Sequence, residues 1–543
     1  MKFLSTGFIA SVILIFFTAC SKGGDGGDGS SPTLSSVTIA PDSAAAGLAI
    51  TLSGGFSFTD PDGDLNGGSF NYTYEGTTYS FTLPSSFNGV TSGDAYFGLQ
   101  VVLSSNIGTQ NIPCWLVDSA GHRSNTVNVT FKQLWTRMFG TMYEDIGYGI
   151  AIDSSDNVLV TGTTNGDIDG EVNLGEADVF VTKYAPDTTR TWTRLIGSNS
   201  TDSGRGVAVD SNDNIYVTGD TIGTSFDGEV SDGVRDGFLT KFDTAGNRVW
   251  TRLISTNGTS DRANAVATDT SNNIYVTGST TGDLDGEINA ASWDAFLVKY
   301  DTNGTRLWTR LLGTTGSETA YGIATDSSGN IYITGSTDGV LGVDPSPGDP
   351  GVNADSFVAK YNATGTLQWV TQLGTSCAEW SKDIDVDLSG NIYIAGKIYQ
   401  CAFADNTASG RYDAFLARLD SSGNTQWVRQ FGTEWEDSAN GITTDSAGNA
   451  YITGYLDSTD FIDDNEGDII FLAKYDASGT RIWLAQENAN YSWGNQGLSV
   501  TTDSTDNIFL TGTVHGSIDH HVNFNIGEDD AFILSYDTTG VRR

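Results

Sequence analysis

Oxygen-bearing side chains recur at alternate positions in two short segments, and this spacing could bind a hard cation. The first set is Asp60, Asp62 and Asp64, and the second is Asn165, Asp167 and Asp169. Tight loops bind calcium with carboxylate and amide oxygens presented in this way. The same residue types also cap backbone amides in turns without any metal. Each segment is therefore a candidate calcium site or a structural turn, and the sequence requires no other cofactor.

Two cysteines could form a covalent cross-link. Cys377 and Cys401 flank a predicted hairpin symmetrically about its turn at residues 388–391, so they should face each other across its open end. In an oxidising compartment we expect them to form a disulfide. Cys114 has no such partner and is expected to be a small buried hydrophobic residue.

Regularly spaced tryptophans mark an internal repeat that must position these groups. They stand at Trp135, Trp192, Trp250, Trp308, Trp369, Trp427 and Trp483, at spacings of 57, 58, 58, 61, 58 and 56 residues. Each opens a block of four short runs rich in β-branched and aromatic residues, bounded by turns of Ser, Asn, Asp and Gly. Such runs predict strands. Four strands in each repeat predict an all-β fold, of which a radial β-propeller is the favoured form.

The repeated runs resemble the bacterial β-propeller repeat called SBBP. In the second block they read Gly206–Asp210, Asn214–Gly219 and Asp236–Asp243, with Trp250 following, and similar runs recur over residues 131–543. The resemblance implies a seven-bladed propeller of four-stranded blades and an extracytoplasmic setting, but no reaction. Likeness to related propellers makes the first of these runs the innermost strand and the Trp strand the outermost.

A spare Trp strand precedes the first full block, over residues 133–140, whereas the last block lacks one before Arg543. We expect this N-terminal strand to supply the outer strand of the last blade. Completing the last blade with this strand would close the ring and leave only short, protected sheet edges.

Residues 32–130 lie outside the repeat. About seven alternating runs occur there, at Ser36–Ile39, Ala49–Leu52, Phe70–Tyr74, Thr78–Thr82, Phe97–Leu103, Cys114–Val117 and Thr126–Phe131. This number of strands in about 100 residues predicts an Ig-like β-sandwich.

The N-terminus has the features of an export signal. Residues 1–19 combine Lys2, an apolar stretch and small residues before Cys20, as in a cleaved signal peptide. The segment Phe17–Cys20 resembles the lipobox of bacterial lipoproteins, which implies that Cys20 is lipidated, with palmitate among the acyl groups. Residues 20–31 would then form a flexible tether. Ser21 implies the outer membrane, with the protein exposed at the surface or facing the periplasm.

The residue just before each predicted inner strand differs in nearly every block while the scaffold repeats. The set comprises Tyr148, Arg205, Asn264, Tyr321, Lys382, Asn440 and Leu498. We expect these residues to ring the mouth of the channel, on the face that carries the long loops. Variation on a rigid scaffold can carry specificity. The alternative is that they are rim residues without a binding role.

Several tryptophans fall outside the repeated positions. Trp293, Trp380, Trp435 and Trp493 are expected in long loops of the same face. Large aromatic side chains on one concave face could stack on sugars or on a partner's side chains. Alternatively, each packs locally under its own loop.

The chain is strongly acidic, because 27 Lys and Arg stand against 67 Asp and Glu, for a net charge of −40. This charge disfavours nucleic acid and anionic headgroups, so membrane attachment is expected only through the lipid anchor. Many of the acids fall in the long loops. A ligand of that face is therefore expected to be neutral, cationic or bridged by calcium.

These features together predict a monomeric, non-enzymatic envelope lipoprotein whose propeller binds a protein or a glycan. No Gly-x-Ser-x-Gly, Walker or His-Glu-x-x-His segment is present. A structural or assembly scaffold of the envelope is the alternative. A propeller hydrolase or a quinoprotein-like enzyme is the third hypothesis, since a fold does not fix a function.

Overall fold

The computed structural model describes most of the chain in two units. The described residues are 11–12, 17–22, 30–40, 43–45, 49–74, 76–83, 87, 90–102, 108–231, 234–342, 354–458, 467–487, 494–518 and 528–543. One unit comprises residues 1–136, 519–521 and Arg543, and the other comprises residues 137–518 and 522–542. Each is described by itself.

The first unit consists of two β-sheets. Its strands are β1 (Ser11–Val12), β2 (Phe17–Lys22), β3 (Thr33–Ala40), β4 (Ser43–Ala45), β5 (Ala49–Thr59), β6 (Ser69–Tyr74), β7 (Thr77–Thr82), β8 (Val90–Val102), β9 (Gly108–Val117) and β10 (Val127–Leu134). One sheet has the order β1-β8-β5-β3, with β2 also pairing with β8, and the other has the order β4-β10-β9-β6-β7. Each of the seven predicted runs overlaps one of these strands.

A single aromatic-rich core joins the strands of this unit. Phe56 of β5 stacks on Phe70 of β6 with ring centroids 4.8 Å apart. Leu116 of β9 and Phe131 of β10 are buried in the same cluster, and so is Cys114. Alternate residues of strands from both sheets thus turn inward, as the period of two in the sequence requires.

The expected signal peptide, lipidated Cys20 and tether fall largely outside the described residues. Of these segments, the structure describes only β1, β2 and the residues from Ser30 onward. Cys20 lies within β2, which runs antiparallel to β8. No helix among the described residues is long and apolar enough to cross a membrane.

The second unit contains the repeats. Its strands are β11 (Thr136–Phe139), β12 (Asp145–Ile152), β13 (Val158–Thr164), β14 (Asp178–Tyr184), β15 (Arg190–Ile196), β16 (Asp202–Val209), β17 (Ile215–Thr221), β18 (Ser225–Phe226), β19 (Glu229–Val230), β20 (Asp236–Phe242), β21 (Arg248–Ile254), β22 (Asp261–Thr268), β23 (Ile274–Thr280), β24 (Asp294–Tyr300), β25 (Arg306–Leu312), β26 (Glu318–Thr325), β27 (Ile331–Thr337), β28 (Asp355–Tyr361), β29 (Leu367–Leu373), β30 (Glu379–Val386), β31 (Ile392–Tyr399), β32 (Tyr412–Leu419), β33 (Thr425–Phe431), β34 (Asp437–Thr444), β35 (Ala450–Ser458), β36 (Gly467–Tyr475), β37 (Arg481–Glu487), β38 (Gln496–Thr502), β39 (Ile508–Val514) and β40 (Asp530–Tyr536).

Within its described residues, this unit forms seven four-stranded antiparallel sheets and one small hairpin, β18-β19. The all-β prediction is therefore confirmed. In each sheet the first strand lies at one edge, and it contacts the first strand of the next sheet, as β12 contacts β16 and β16 contacts β22. The first strand of the last sheet, β38, contacts β12. Ser504 also donates to Asp156 of the first sheet through its backbone nitrogen, over 2.9 Å. The contacts between sheets thus close on themselves.

The strand order of the last sheet is β11-β40-β39-β38. The N-terminal strand β11 therefore lies at its outer edge, where the other sheets carry their own fourth strand. This strand begins at Thr136 and not at Gln133, because β10 continues to Leu134 and pairs with β9 as far as Gln133.

A repeated hairpin turn fixes the first two strands of each sheet. In the second sheet, Asp210 accepts hydrogen bonds from the backbone nitrogens of Asn212 and Asn214, both at 2.9 Å. The Tyr216 hydroxyl donates to the same carboxylate over 3.0 Å. Aspartate is favoured in such turns because its short side chain reaches the backbone two residues on.

Adjacent sheets also pack through the repeated tryptophans. The guanidinium of Arg252 lies 5.3 Å from the ring centroid of Trp250, and its Nε donates to the Gly304 carbonyl in the next sheet over 3.0 Å. Gly246 occupies the equivalent turn beside Trp192, with φ at 79° and no room for a Cβ atom. The Trp-Thr-Arg segment is therefore an element of packing between sheets.

Candidate functional site

The seven variable residues surround the centre of the second unit. Tyr148, Arg205, Asn264, Tyr321, Lys382, Asn440 and Leu498 all line one cavity of about 480 Å³ and also a second of about 170 Å³. They lie within the inner strands and not before them. We call these seven residues the collar.

β-Bulges explain why the collar residues turn inward. In every sheet the pairing of the first two strands shifts register across the collar residue. Tyr148, for example, is the extra residue between Gly147 and Gly149. A bulge leaves its extra residue out of the ladder and redirects the side chain. The fold thus presents one freely variable side chain from each sheet.

The larger cavity is basic. Of the described residues that line it, Arg205, Arg262 and Lys382 carry positive charge and none is acidic. The acidic loops predict a neutral, cationic or calcium-bridged ligand on this face, but the lining of this cavity is positively charged. Many acidic residues of the repeats lie in loops and turns, whereas the collar residues and Arg262 lie in the inner strands.

One buried carboxylate organises part of this positive charge. Asp220, with 2% of its side chain exposed, pairs with Arg205 at 2.6 Å and also with Arg235. Arg262 lies nearby, and burial together with Arg235 lowers its pKa. Two guanidinium groups therefore pair with one carboxylate and a third lies nearby, which leaves net positive charge at this edge of the cavity.

Aromatic rings lie beside the cations. Arg262 lies 5.2 Å from the ring centroid of Trp293, and Lys382 lies 4.6 Å from that of Tyr321. Tyr148 contributes a third ring to the lining. Such pairs are attractive because the ring face is electron-rich, and they present both a charge and an apolar surface to the cavity.

The side-chain ammonium of Lys382 loses its proton more readily than that of an ordinary lysine. Burial lowers its pKa to about 8, and the positive charge of Lys397 acts in the same direction. An anion bound in the cavity would favour the protonated form of Lys382.

Asp383 lines the smaller cavity. Burial raises its pKa to about 7, and its carboxylate accepts a hydrogen bond from the Ile442 nitrogen over 3.0 Å.

Trp380 belongs to a second aromatic cluster. It lies in strand β30 and not in a loop, opposite Lys397 in the pairing with β31. Its ring centroid is 6.0 Å from that of Tyr412, and the ring centroids of Tyr412 and Tyr399 are 5.0 Å apart. The Lys397 ammonium lies 4.4 Å from the Tyr412 ring. Trp380 therefore packs against local aromatic residues and does not line the cavity.

The other two tryptophans differ in their placement. Trp435 is 48% exposed, and its carbonyl accepts hydrogen bonds from the backbone nitrogens of Arg411 and Tyr412. Trp493 lies outside the described residues. Of the three singled-out tryptophans that the structure describes, only Trp293 lines the larger cavity.

Cys377 and Cys401 form a disulfide, with their Cα atoms 5.9 Å apart. It links the segments flanking β30 and β31, beside the strand that carries Trp380 and Lys382. Cys114 is a free, buried thiol.

The acidic segment 165–169 forms a turn whose carboxylates have partners within the chain. Asp167 accepts a hydrogen bond from the Asn173 nitrogen over 2.9 Å. Asp169 pairs with Arg190 and accepts from the Thr193 hydroxyl over 2.6 Å. Asn165 is exposed, and its nitrogen donates to the Glu144 carbonyl. These contacts are those of a structural turn.

By contrast, Asp60, Asp62 and Asp64 form a compact group in the first unit. One carboxylate oxygen from each lies within 4.8 Å of the others. Among the described residues, this is the one group of three or more His, Cys, Asp or Glu side chains whose ligand atoms lie that close together.

Arg262 was missed in the sequence because no other repeat carries an arginine at its position. It lies two residues before the collar residue Asn264, and it pairs with Ser279 across the ladder. Residues two apart in a strand share a face, although the bulge modifies this rule here. Residues that adjoin the collar and occur in only one repeat were therefore the sequence signal that could have identified Arg262.

Comparison with known proteins identifies the repeats. Six segments match the family model of the SBBP Beta-propeller repeat: residues 134–169, 191–227, 249–285, 307–342, 368–399 and 426–462. The chain is thus a propeller repeat protein carrying SBBP repeats, and the resemblance seen in the sequence is confirmed in this respect.

Two curated proteins are similar over part of their length. An uncharacterised WD repeat-containing protein of Acanthamoeba polyphaga mimivirus is 24% identical over 501 residues, covering 70% of this chain and 36% of that protein. The regulatory protein FlaEY of Caulobacter vibrioides is 25% identical over 246 residues, covering 40% of this chain and 26% of its own length. The chain thus spans about a third and a quarter of these relatives.

The solved structures that match the chain are more distant. The Pan2 WD40 domain of Neurospora crassa has a TM-score of 0.32 at 10% identity, over 58% of this chain and 94% of its own. A puromycin hydrolase has a TM-score of 0.41 at 11% identity, over 74% and 53%. At these scores neither similarity bears on function.

Proposed function

We propose that the seven four-stranded sheets are the blades of one seven-bladed β-propeller, preceded by an Ig-like domain over residues 32–130. The closed series of contacts between inner strands supports the first part. For the second, β4 runs parallel to β10 at the edge of one sheet, while β5 pairs with β8 in the other. Two β-sheets built from about 100 residues around one core are typical of Ig-like sandwiches.

The proposed activity is non-enzymatic binding of a carboxylate-bearing glycan in the larger cavity. One observation carries this proposal: in its described lining, three cationic side chains lie among three aromatic rings with no acidic side chain. Arginine recognises carboxylates through its planar fork of donors, and aromatic faces stack on sugar rings. The volume of about 480 Å³ lies within the range of small-ligand sites.

The overall acidity of the chain is compatible with this ligand. The field felt by a bound group depends mainly on charges within about one Debye length, roughly 8 Å at physiological ionic strength. The nearest charges in the lining are positive, and many loop acids are neutralised locally, as Asp285 is by Arg306 at 2.6 Å. Local charge therefore opposes the net charge of −40.

A glycan array with matched acidic and neutral oligosaccharides tests the proposal. We expect uronic-acid glycans to bind and neutral ones of the same size to bind at least about tenfold more weakly, as one lost charged contact would give. Trp293→Ala and Arg262→Gln should abolish binding of the acidic glycans. Trp435→Ala should retain it, because Trp435 is not among the described residues that line the cavity. Equal binding of neutral glycans, or binding of acidic peptides alone, would contradict a glycan site.

The cellular setting is a separate proposal. A lipid anchor at Cys20 would attach an exported protein to the bacterial outer membrane, and the disulfide at Cys377 is compatible with an oxidising compartment. Mass spectrometry of the native N-terminus tests this setting. A mature chain starting at acylated Cys20 is expected, and an intact Met1 would contradict it.

A further inference from the structure

The turn between β5 and β6 gathers three aspartates into one small volume. Asp60, Asp62 and Asp64 occupy alternate positions, and the Gly63 nitrogen donates to the Asp60 carbonyl over 3.2 Å. Gly63 has a φ of 69°, in the left-handed region that favours glycine. The tight turn thereby brings carboxylate oxygens from all three residues within 4.8 Å of one another.

Each of these carboxylates has one oxygen that nothing in the chain satisfies. Asp60 is fully buried, and the Oδ1 atoms of Asp60, Asp62 and Asp64 are buried with no hydrogen-bond partner. The second oxygens are used differently. Asp60 Oδ2 accepts from the Leu65 nitrogen over 3.2 Å, and Asp62 Oδ2 accepts from the Ser30 nitrogen over 3.0 Å. The chain thus orients the carboxylates with backbone donors and leaves the inner oxygens open.

The local charge is not balanced by a side chain. The imidazole of His122 pairs with Asp118 at 2.9 Å and not with any of the three aspartates. Buried carboxylates are costly unless they are paired or coordinate a metal. A cation bound among the open oxygens would therefore stabilise these three carboxylates in the turn.

We infer that Asp60, Asp62 and Asp64 bind one calcium ion in the first unit. Calcium accepts 6–8 oxygen ligands in flexible geometry, whereas magnesium demands near-ideal octahedral geometry and keeps several of its waters. Three carboxylates presented by one short turn therefore suit calcium. Water and backbone carbonyls would complete its shell of 6–8 oxygens. This site is independent of the cavity proposed to bind a glycan.

The ion would tie together distant parts of the first unit. The Asp60 nitrogen donates to the Thr91 carbonyl of β8 over 2.7 Å, and the Asp64 carbonyl accepts from the Ser119 nitrogen over 3.1 Å. The Asp62 carboxylate accepts a hydrogen bond from the nitrogen of Ser30, which lies just before β3. Calcium at this turn would stabilise the connections between both sheets.

Calcium titration of the full chain after chelator treatment tests the site directly. Isothermal calorimetry should give one calcium ion per chain, with magnesium at least about tenfold weaker because of its stricter geometry. Asp62→Asn should abolish this binding without unfolding the chain, because Asp62 is only partly buried. Asp167→Asn is the matched control and should bind normally, since Asp167 has the Asn173 nitrogen as its partner.

Thermal unfolding separates a metal site from a turn cap. In chelator, Asp62→Asn should melt at or above the wild-type temperature, because it relieves repulsion among the carboxylates. In about 1 mM calcium, the range of extracellular modules, it should melt below wild type. Absence of saturable calcium binding would overturn the inference, and so would an equal loss of melting temperature in both conditions.

Discussion

The guanidinium of Arg262 lies over the indole of Trp293, 5.2 Å from its ring centroid. Arg262 comes from an inner strand and Trp293 from the loop before β24, and both line the larger cavity. Burial and the neighbouring guanidinium of Arg235 lower the pKa of Arg262. A bound carboxylate would relieve this crowding of like charges, so the pair is a natural anchor for an anionic ligand.

The proposed ligand should bind less tightly as the pH rises. Lys382 has a pKa lowered to about 8, mainly by burial and then by Lys397, and it faces Tyr321, Arg205 and Arg262 around the cavity. It loses its positive charge as the pH passes through that value. Affinity for an acidic glycan should therefore fall several-fold from about pH 7 to about pH 9, since a lysine of ordinary pKa stays protonated there.

Lys382→Arg provides the control for this pH profile, because arginine stays charged throughout this range. Calorimetric titrations at several pH values should give a flat profile for this variant between neutral and alkaline pH. A wild-type affinity that does not change with pH would contradict the role of Lys382.

Stability should also depend on buried carboxyl groups between the sheets. Burial raises the pKa of Glu379 to about 8, with hydrogen bonds from Thr375 opposing the shift and the nearby Asp355 adding to it. The folded pKa lies above the unfolded one, so this contribution is complete below about pH 4.5 and is lost as the pH rises through about 8. The melting temperature of the wild type should therefore fall over that range.

Glu379→Gln removes this titration while keeping the shape of the side chain. The variant should differ little from wild type near pH 5 and be the more stable protein near pH 9, because glutamine carries no charge to bury. Differential scanning calorimetry at the two pH values measures this. A variant that is equally destabilised at both would show that Glu379 acts only through its hydrogen bonds.

Gly246 should be essential for packing between neighbouring sheets. Its φ of 79° is strained for other residues, and a Cβ atom there would lie 2.7 Å from the Trp192 ring. Gly246→Ala should destabilise the chain by about 2–4 kcal/mol, combining left-handed strain and overpacking. Gly228→Ala is the matched control, since Gly228 has a φ of 89° and open space around it. Equal effects of the two substitutions on chemical denaturation would exclude the contact with Trp192.

The disulfide should stabilise the sheet that carries Lys382. Cys377 and Cys401 are separated by 24 residues, and closing a loop of this size contributes about 3 kcal/mol in the chain-entropy description. Replacing both cysteines by serine should lower the denaturation midpoint by the corresponding amount. Mass spectrometry that finds both thiols free in the purified protein under non-reducing conditions would contradict the cross-link.

The repeated features were accessible from the sequence because each depends on a local rule. Alternation and turn residues such as Asp210 predict strands and hairpins in every block, and the period of the tryptophans aligns them. The seven collar positions were recognised by their variation. Their inward orientation comes from bulges, which appear only in the strand pairing.

Features that occur once were harder to predict. Trp380 was expected in a loop, but the ladder of β30 with β31 extends past it to Glu379. Arg262 and Asp220 come together only through tertiary structure. The positive lining of the cavity was not evident from the net charge, because Arg262 and the collar residues lie in inner strands whereas acids such as Asp285 lie in loops.

Calorimetry with one matched pair of ligands tests the central claim most directly. The probes are an oligogalacturonate and its fully methyl-esterified form, which differ in charge but hardly in shape. The account predicts that the wild type binds the acid and that Arg262→Gln with Lys382→Met loses at least about 100-fold in affinity, as expected for two charge-assisted contacts. Equal affinity for the two ligands, or an unchanged affinity in the double variant, would contradict a basic glycan-binding cavity.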